Sequence, residues 1–177
     1  MFNKLSKTLK TFSPALASIM SLLLVALVWA DESLPSPQGS VILEITGKIT
    51  KTNGMGKAQF DHDMLAALGF SELTTSTPWT EGVPVFTGIQ MSTLLDYVGA
   101  EGDSIHAIAL NDYKAEIPLS DFDKYPVMLA STMNGKRLRV RDKGPLWIVY
   151  PFDQFEELAG AETRSKCVWQ LKELQVQ

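Results

Sequence analysis

Residues 143–151 read Lys-Gly-Pro-Leu-Trp-Ile-Val-Tyr-Pro, and this stretch decides how the rest of the chain is read. Leu146 to Tyr150 is an unbroken apolar run, opened by Gly144-Pro145 and closed by Pro151, which makes a fully apolar strand between two breakers. Upstream, Asn134-Gly135 marks a tight turn, Met128-Leu129-Ala130 a buried run, and Leu138 to Val140 a strand. Arg137, Arg139 and Arg141 alternate with Leu138 and Val140, so they are expected on one exposed strand face, available to an acidic partner. Downstream, Cys167 to Val176 reads as a last strand, with Val168, Gln170 and Lys172 on one face and Cys167, Trp169 and Leu171 on the other.

Further toward the N-terminus, His106–Leu110 and Tyr113–Ile117 form a hairpin around Asn111-Asp112, a pair that tolerates positive φ. Met91, Leu94, Leu95 and Val98 recur at helical spacing, with Gly99 as the stop. Asp61 suits a helix N-cap, followed by Met64, Leu65 and Leu68 on one face and Gly69 at the end. Val41–Ile45 is a β-branched strand, continued by Ile49 to Thr52, and Ala58–Phe60 pairs back on it. Between these elements, residues 70–88 read as irregular and hydroxyl-rich, with Leu73 to Thr77 as an edge strand. Segments of this kind in a compact domain often line a site. Many strands and few short helices give an α+β class with a mixed, mostly antiparallel sheet.

The ends and the charge limit the function classes. Lys4, Lys7 and Lys10 precede an apolar run from Ala15 to Trp29, and Val28-Trp29-Ala30 offers a cleavage site after Ala30. Residues 1–30 are therefore expected to be a signal peptide, with an uncleaved N-terminal anchor as the alternative, residues 31–40 a flexible lead, and residues 41–177 one domain that either reading exports. Losing three lysines and no acid takes the formal charge from −4 to −7. An acidic domain argues against nucleic acid and anionic lipid, both of which require basic patches. The single cysteine, Cys167, excludes an internal disulfide and is expected to be buried.

No phosphate-binding glycine loop, His-Glu-x-x-His or Cys-x-x-Cys occurs. Asp61-His62-Asp63 reads as a cap with solvated neighbours rather than a metal site. Ser76, Thr75 and Thr77 have no evident histidine base, which argues against a hydrolytic triad.

Four segments, taken in order, carry a resemblance. They are Phe86-x-Gly88 with Leu94-Leu95, Ala109-Leu110-Asn111-Asp112-Tyr113 with Ile117-Pro118-x-x-Asp121, Lys143 to Pro151, and Ser165-Lys166-x-Val168-Trp169-Gln170-Leu171. Together they resemble the oxidoreductase molybdopterin-binding domain of sulfite oxidases and related enzymes. The resemblance is closer to the small periplasmic pterin-binding regulators related to that fold, and it spans essentially residues 40–177. In the molybdenum enzymes a cysteine thiolate ligates the metal from the segment leading into the tryptophan region. Here that segment, Leu73 to Trp79, has no cysteine, and Cys167 is expected to lie far from it. The resemblance thus implies a pterin ligand rather than a molybdenum cofactor, and no catalysis.

A pterin asks for an aromatic platform and a carboxylate acceptor for its paired N–H donors. Trp79 is the expected platform and Asp112 the expected acceptor, with Tyr113 and Tyr150 closing the opposite face. Thr77, Thr80, Ser165 and Lys166 are expected to reach ligand hydroxyls or ring oxygens. Structural readings stand beside these: Trp79 as core, Asp112 as a turn residue, Tyr150 as packing and Lys166 as a solvated lysine. The resemblance further implies a periplasmic module that presents its loaded state to a membrane protein with diguanylate cyclase and phosphodiesterase domains. Two alternatives stay open: an oxidoreductase holding molybdopterin through another ligand or an electron-transfer partner, and an adaptor without a ligand.

Overall fold

The computed structural model of the chain describes residues 33–177, so the expected signal peptide lies outside the described residues. The first half contains β1 (Leu43–Gly47), β2 (Ala58–Phe60), α1 (His62–Ala67), β3 (Ser71–Thr74), β4 (Val85–Gln90) and α2 (Met91–Val98). There follow β5 (Ser104–Ala109), β6 (Lys114–Pro118), α3 (Ser120–Lys124), β7 (Met128–Met133) and β8 (Lys136–Arg137). The chain ends with β9 (Trp147–Val149), α4 (Ala161–Lys166) and β10 (Leu171–Val176), with short 3-10 turns at Val140–Asp142 and Glu156–Ala159.

Among the described residues two five-stranded sheets result. The first has the order β2-β1-β10-β5-β6, in which only β1 and β10 run parallel. In the second, β3-β4-β7-β8, strand β9 also pairs with β7. Because β4 occupies one edge of β7, β9 and β8 divide the other: Trp147–Val149 faces Ala130–Met128, and Lys136–Arg137 faces Met133–Thr132.

Alternation along the apolar stretch explains its composition. Leu146, Ile148 and Tyr150 join the main core with Ile89 and Leu129. Trp147 and Val149 fall on the opposite face, in a second core with Phe86, Met128, Ala130, Leu73 and Leu138. Side chains alternate across a strand, so a strand between two cores has no polar position. Gly88 stands at the crossing of β4 and β7, where a Cβ would collide with the Leu129 carbonyl. At Gly99, φ of 62° closes α2 in the left-handed region expected after a helix. Among the described residues no helix is long and apolar enough to cross a membrane.

The hairpin, the Asp61 cap and the helix at 91–98 form as the sequence predicts, while four expectations need correction. Leu138 to Val140 is not a strand: β8 stops at Arg137, Leu138 is buried, and Val140–Asp142 forms a 3-10 turn in which Arg139 Nε bonds Asp142 at 2.6 Å. The three arginines therefore share no strand face, and Arg137 instead contacts His62 Nδ1 at 2.9 Å. The last strand begins at Leu171, not Cys167. Cys167 caps α4, Gln170 has a φ of 52°, and the pairing with β5 shifts between Leu171 and Glu173, which breaks the two-residue period. The segment 70–88 is less irregular than expected, since β3 pairs with β4 from Ser71↔Gly88 to Thr74↔Val85. Residues 33–40 are fastened rather than loose: Leu34 is buried and its N–H donates to Thr52 O, while Gln38 and Gly39 donate to Asp61 Oδ2 at 2.8 and 2.7 Å.

Asp61 thus serves two segments, since its other oxygen accepts the Met64 N–H at 2.9 Å. Hydrogen bonds from Met64, Gly39 and Gln38 hold its carboxyl below the usual carboxylate range. A carboxyl whose folded pKa is depressed stabilises the fold above its unfolded pKa, and that stability is lost as pH falls through the folded value. Asp61→Asn is therefore expected to melt lower at neutral pH and to lose part of the wild-type decline in melting temperature toward acid. Circular dichroism melts from about pH 7 to about pH 3 measure this, and parallel wild-type and variant curves would refute it.

Candidate ligand-binding site

The loop between β3 and β4 is closed by the Thr75 N–H donating to Pro84 O at 3.3 Å. Within it Thr77 Oγ1 accepts the Trp79 N–H at 3.2 Å and lies 3.0 Å from Thr80 Oγ1, a hydroxyl-braced turn of the kind Ser and Thr favour. This turn sets Trp79 against two other tryptophans. Its ring centroid lies 5.3 Å from that of Trp169 and 6.1 Å from that of Trp147, both edge to face, and Trp147 and Trp169 are 6.4 Å apart. Phe86 meets Trp147 at 5.4 Å. Edge-to-face pairs of this kind each add about 0.5–1.5 kcal/mol beyond area burial. Lys143 Nζ stands 5.7 Å from the Trp147 centroid and 5.8 Å from that of Trp169, which adds a cation over the cluster.

A cavity of about 350 Å³ opens beside this cluster. Trp79, Val168 and Trp169 make its apolar wall, Asn111 and Tyr113 come from the β5–β6 turn, and Arg164, Ser165 and Cys167 come from the end of α4. The Tyr113 hydroxyl donates to Ser165 O at 2.8 Å, joining the hairpin to α4 at the rim. A second depression of similar size also has Trp79 in its wall, together with Thr80, Arg141, Lys143 and Trp147. The first has the apolar lining with few polar groups that small-ligand sites share, at the small end of their size range, whereas the second is lined mostly by polar and charged residues, among them Glu81, Asn134 and Asp142.

The structure brings together Trp79, Tyr113 and Ser165 at the first cavity and places Thr80 at the second depression. Thr77 is buried in the loop that carries Trp79 and lines neither. Tyr150 is fully buried, and its hydroxyl donates to Asp121 Oδ2 at 2.7 Å. Lys166 Nζ reaches the same oxygen at 3.1 Å and Glu162 Oε1 at 2.9 Å. Burial and the Asp121 carboxylate raise the Tyr150 phenol well above its ordinary range. For Lys166 burial works downward, but the bonds to Glu162 and Asp121 outweigh it and the ammonium is held more firmly charged. These two residues tie β9, α3 and α4 together behind the cavity wall. Asp112 lines neither space: φ of 62° turns it out of the hairpin, its side chain is 83% exposed, and Oδ1 accepts from Lys172 Nζ at 2.7 Å. Asn111, Arg164 and Trp169 were not among the expected site residues, and Trp169 alone had a usable signal, an aromatic adjoining the motif Ser165-Lys166.

Cys167 is also on the cavity wall rather than distant from Trp79. Its thiol is buried and pushed up to about 12 by burial, and Sγ donates to Thr163 O at 3.4 Å. It is therefore a protonated, packed thiol at neutral pH. Among the described residues no three His, Cys, Asp or Glu side chains converge as a metal site.

Iodoacetamide at neutral pH is expected to leave Cys167 unmodified in the folded protein and to alkylate it fully in urea, as read by intact mass. Rapid native alkylation would show a reactive thiolate. Lys166→Met removes the cation facing Asp121, whose side chain is 17% exposed. It is expected to cost about 2 kcal/mol in urea unfolding, below the 3–5 kcal/mol of a fully buried pair because water still reaches the site.

A comparison with curated proteins gives no match. Among solved structures, the sulfane dehydrogenase SoxCD from Paracoccus pantotrophus is similar with a TM-score of 0.58 and 19% identity, over 76% of this chain and 37% of that one. At that identity the likeness is one of fold, a sulfite-oxidase-type fold, and the chain spans well under half of the SoxCD chain. The family model described as oxidoreductase molybdopterin binding domain matches residues 53–155, from the turn before β2 past the apolar strand, and stops before α4 and β10. With more than half of its residues matched, two sheets in the corresponding architecture and a ligand-sized cavity against the tryptophan cluster, the chain belongs to the oxidoreductase molybdopterin-binding domain family.

Proposed function

We propose that this domain binds a pterin without molybdenum and acts as a non-catalytic binding module. The observation that carries the reading is the composition of the cavity wall: Trp79 and Trp169, packed edge to face, and Tyr113 around about 350 Å³, with a protonated cysteine as the sole thiol. A flat bicycle needs an aromatic platform and polar groups at its edge, and Trp79 or Trp169 supplies the first while Asn111, Ser165 and Arg164 supply the second.

The donor set does not fit a molybdenum centre. Such a centre calls for a soft thiolate, and the segment Leu73 to Trp79 offers only hydroxyls. The rival reading, a molybdopterin-dependent oxidoreductase, gains one point from Cys167 lying on the cavity wall. It requires that thiol to give up the Thr163 carbonyl and ionise against the burial that raises it.

The setting proposed is the periplasm, after removal of residues 1–30. The partner proposed is the periplasmic part of a membrane protein that makes or degrades cyclic-di-GMP. Its response would require loaded and empty forms to bind it differently.

Calorimetric titration with biopterin tests the binding step. Wild type is expected to bind, and Trp79→Ala to lose about 1–3 kcal/mol of affinity with the platform. Asp112→Asn is expected to leave affinity unchanged, since that carboxylate faces Lys172. A loss confined to Asp112→Asn would overturn this placement of the ligand.

A further inference from the structure

Asp153 lies just beyond Pro151 and outside both the cavity and the depression beside Trp79. It nevertheless makes three contacts with the loop that carries Trp79. Its Oδ2 accepts the Ser76 N–H at 2.6 Å and its Oδ1 accepts the Ser76 hydroxyl. In return the Asp153 N–H donates to Thr75 Oγ1 at 3.1 Å. Thr75 is fully buried, and its own N–H closes the loop on Pro84 O. A carboxylate that takes both donors of one residue while its backbone bonds the preceding side chain fixes that dipeptide in position and orientation. Three residues further on, the Trp79 N–H is held within this loop by Thr77 Oγ1.

We infer that Asp153 is a positioning residue for the cavity, clamping Thr75-Ser76 so that Trp79 is held as the ligand platform before any ligand arrives. This inference rests on the pterin-binding reading for its ligand and on the clamp geometry for its residue. The bonds from Ser76 hold the Asp153 carboxyl below its usual range, so the clamp is charged at neutral pH. A hydrolytic role for Ser76 is not in play: both histidines are elsewhere, His62 against Arg137 and Phe70 and His106 in β5. The clamp spans 77 residues of sequence and joins the second sheet's loop to the exit of β9, so the strand between the two cores also sets the site.

Removing the clamp leaves the tryptophans and the cavity wall chemically intact and reduces only the fraction of molecules with Trp79 in place. If that fraction falls to about one tenth, apparent affinity falls about tenfold with no ligand contact deleted. The test uses the full mature chain as Asp153→Ala and Ser76→Ala, singly and together. Readouts are melting temperature, amide hydrogen exchange at residues 75–80 without ligand, acrylamide quenching of tryptophan, and biopterin affinity. Asp153→Ala is expected to speed exchange at 75–80, expose Trp79 to quencher and weaken biopterin about tenfold. The double variant is expected to do little more than Asp153→Ala, the non-additivity of residues acting through one contact. Exchange, quenching and affinity all equal to wild type would overturn the inference. If wild type binds no biopterin while Asp153→Ala still frees the loop and Trp79, positioning stands and the pterin reading fails. If biopterin binds both proteins equally, the pterin reading stands and positioning fails. Should Asp153→Ala not fold, Asp153→Asn, which keeps the volume and one acceptor, decides the same question with a smaller expected shift.

Discussion

The burial of Leu146 to Tyr150 between two hydrophobic cores is the constraint on which the rest depends. Alternate residues of that stretch must find apolar partners on opposite sides, and this requires a sheet with neither face given to water. Strand β7 meets the requirement by pairing with β4 along one edge and dividing the other between β8 and β9. Placing Trp147 on the smaller core then gives Trp79 and Trp169 a surface to pack against, and the cavity lies beside that packing. The site is thus the unfilled margin of a core, built from the residues that could not all be enclosed.

Polar contacts fix the elements around this margin. The Tyr150–Asp121–Lys166 group anchors α4 against the end of β9, and α4 presents Ser165 and Arg164 to the cavity. On the hairpin side, Tyr113 bonds Ser165 O across the rim. Several residues with plausible ligand chemistry therefore act as supports. Their polar atoms are used within the protein, and the groups left for a ligand are fewer and more apolar than a list of polar residues near the motifs would indicate.

The fold was legible where local chemistry and tertiary demand agree. Asp61 caps its helix because side chain and backbone lie within three residues of each other, and Leu146 to Tyr150 is apolar at every position because the strand is covered on both sides. Legibility failed where tertiary contacts override periodicity. The α4 sequence Ala-Glu-Thr-Arg-Ser-Lys has no apolar stripe, and Thr163 is its one buried residue, so no helical signal was present. Leu138 to Val140 alternates like a strand but leads into a 3-10 turn at Val140–Asp142, where Arg139 Nε bonds Asp142. At the site, Trp79 was identifiable as an aromatic in a hydroxyl-rich loop. The direction of Asp112 was not, because it depends on the sign of φ in the hairpin and on Lys172, 60 residues away. Cys167 shows the same limit: its place on the cavity wall follows from where β10 begins, which the alternation of apolar residues misplaced.

We propose that this member of the family holds a pterin ring against tryptophan and not a metal through sulfur. Mass spectrometry and metal analysis of the protein purified without added ligand, from cells that make it naturally, test this directly. A pterin is expected to be released on denaturation in near-stoichiometric amount, with no accompanying molybdenum. Stoichiometric molybdenum that is lost on Cys167→Ser would contradict it and make the domain a redox enzyme with an unusually placed ligand.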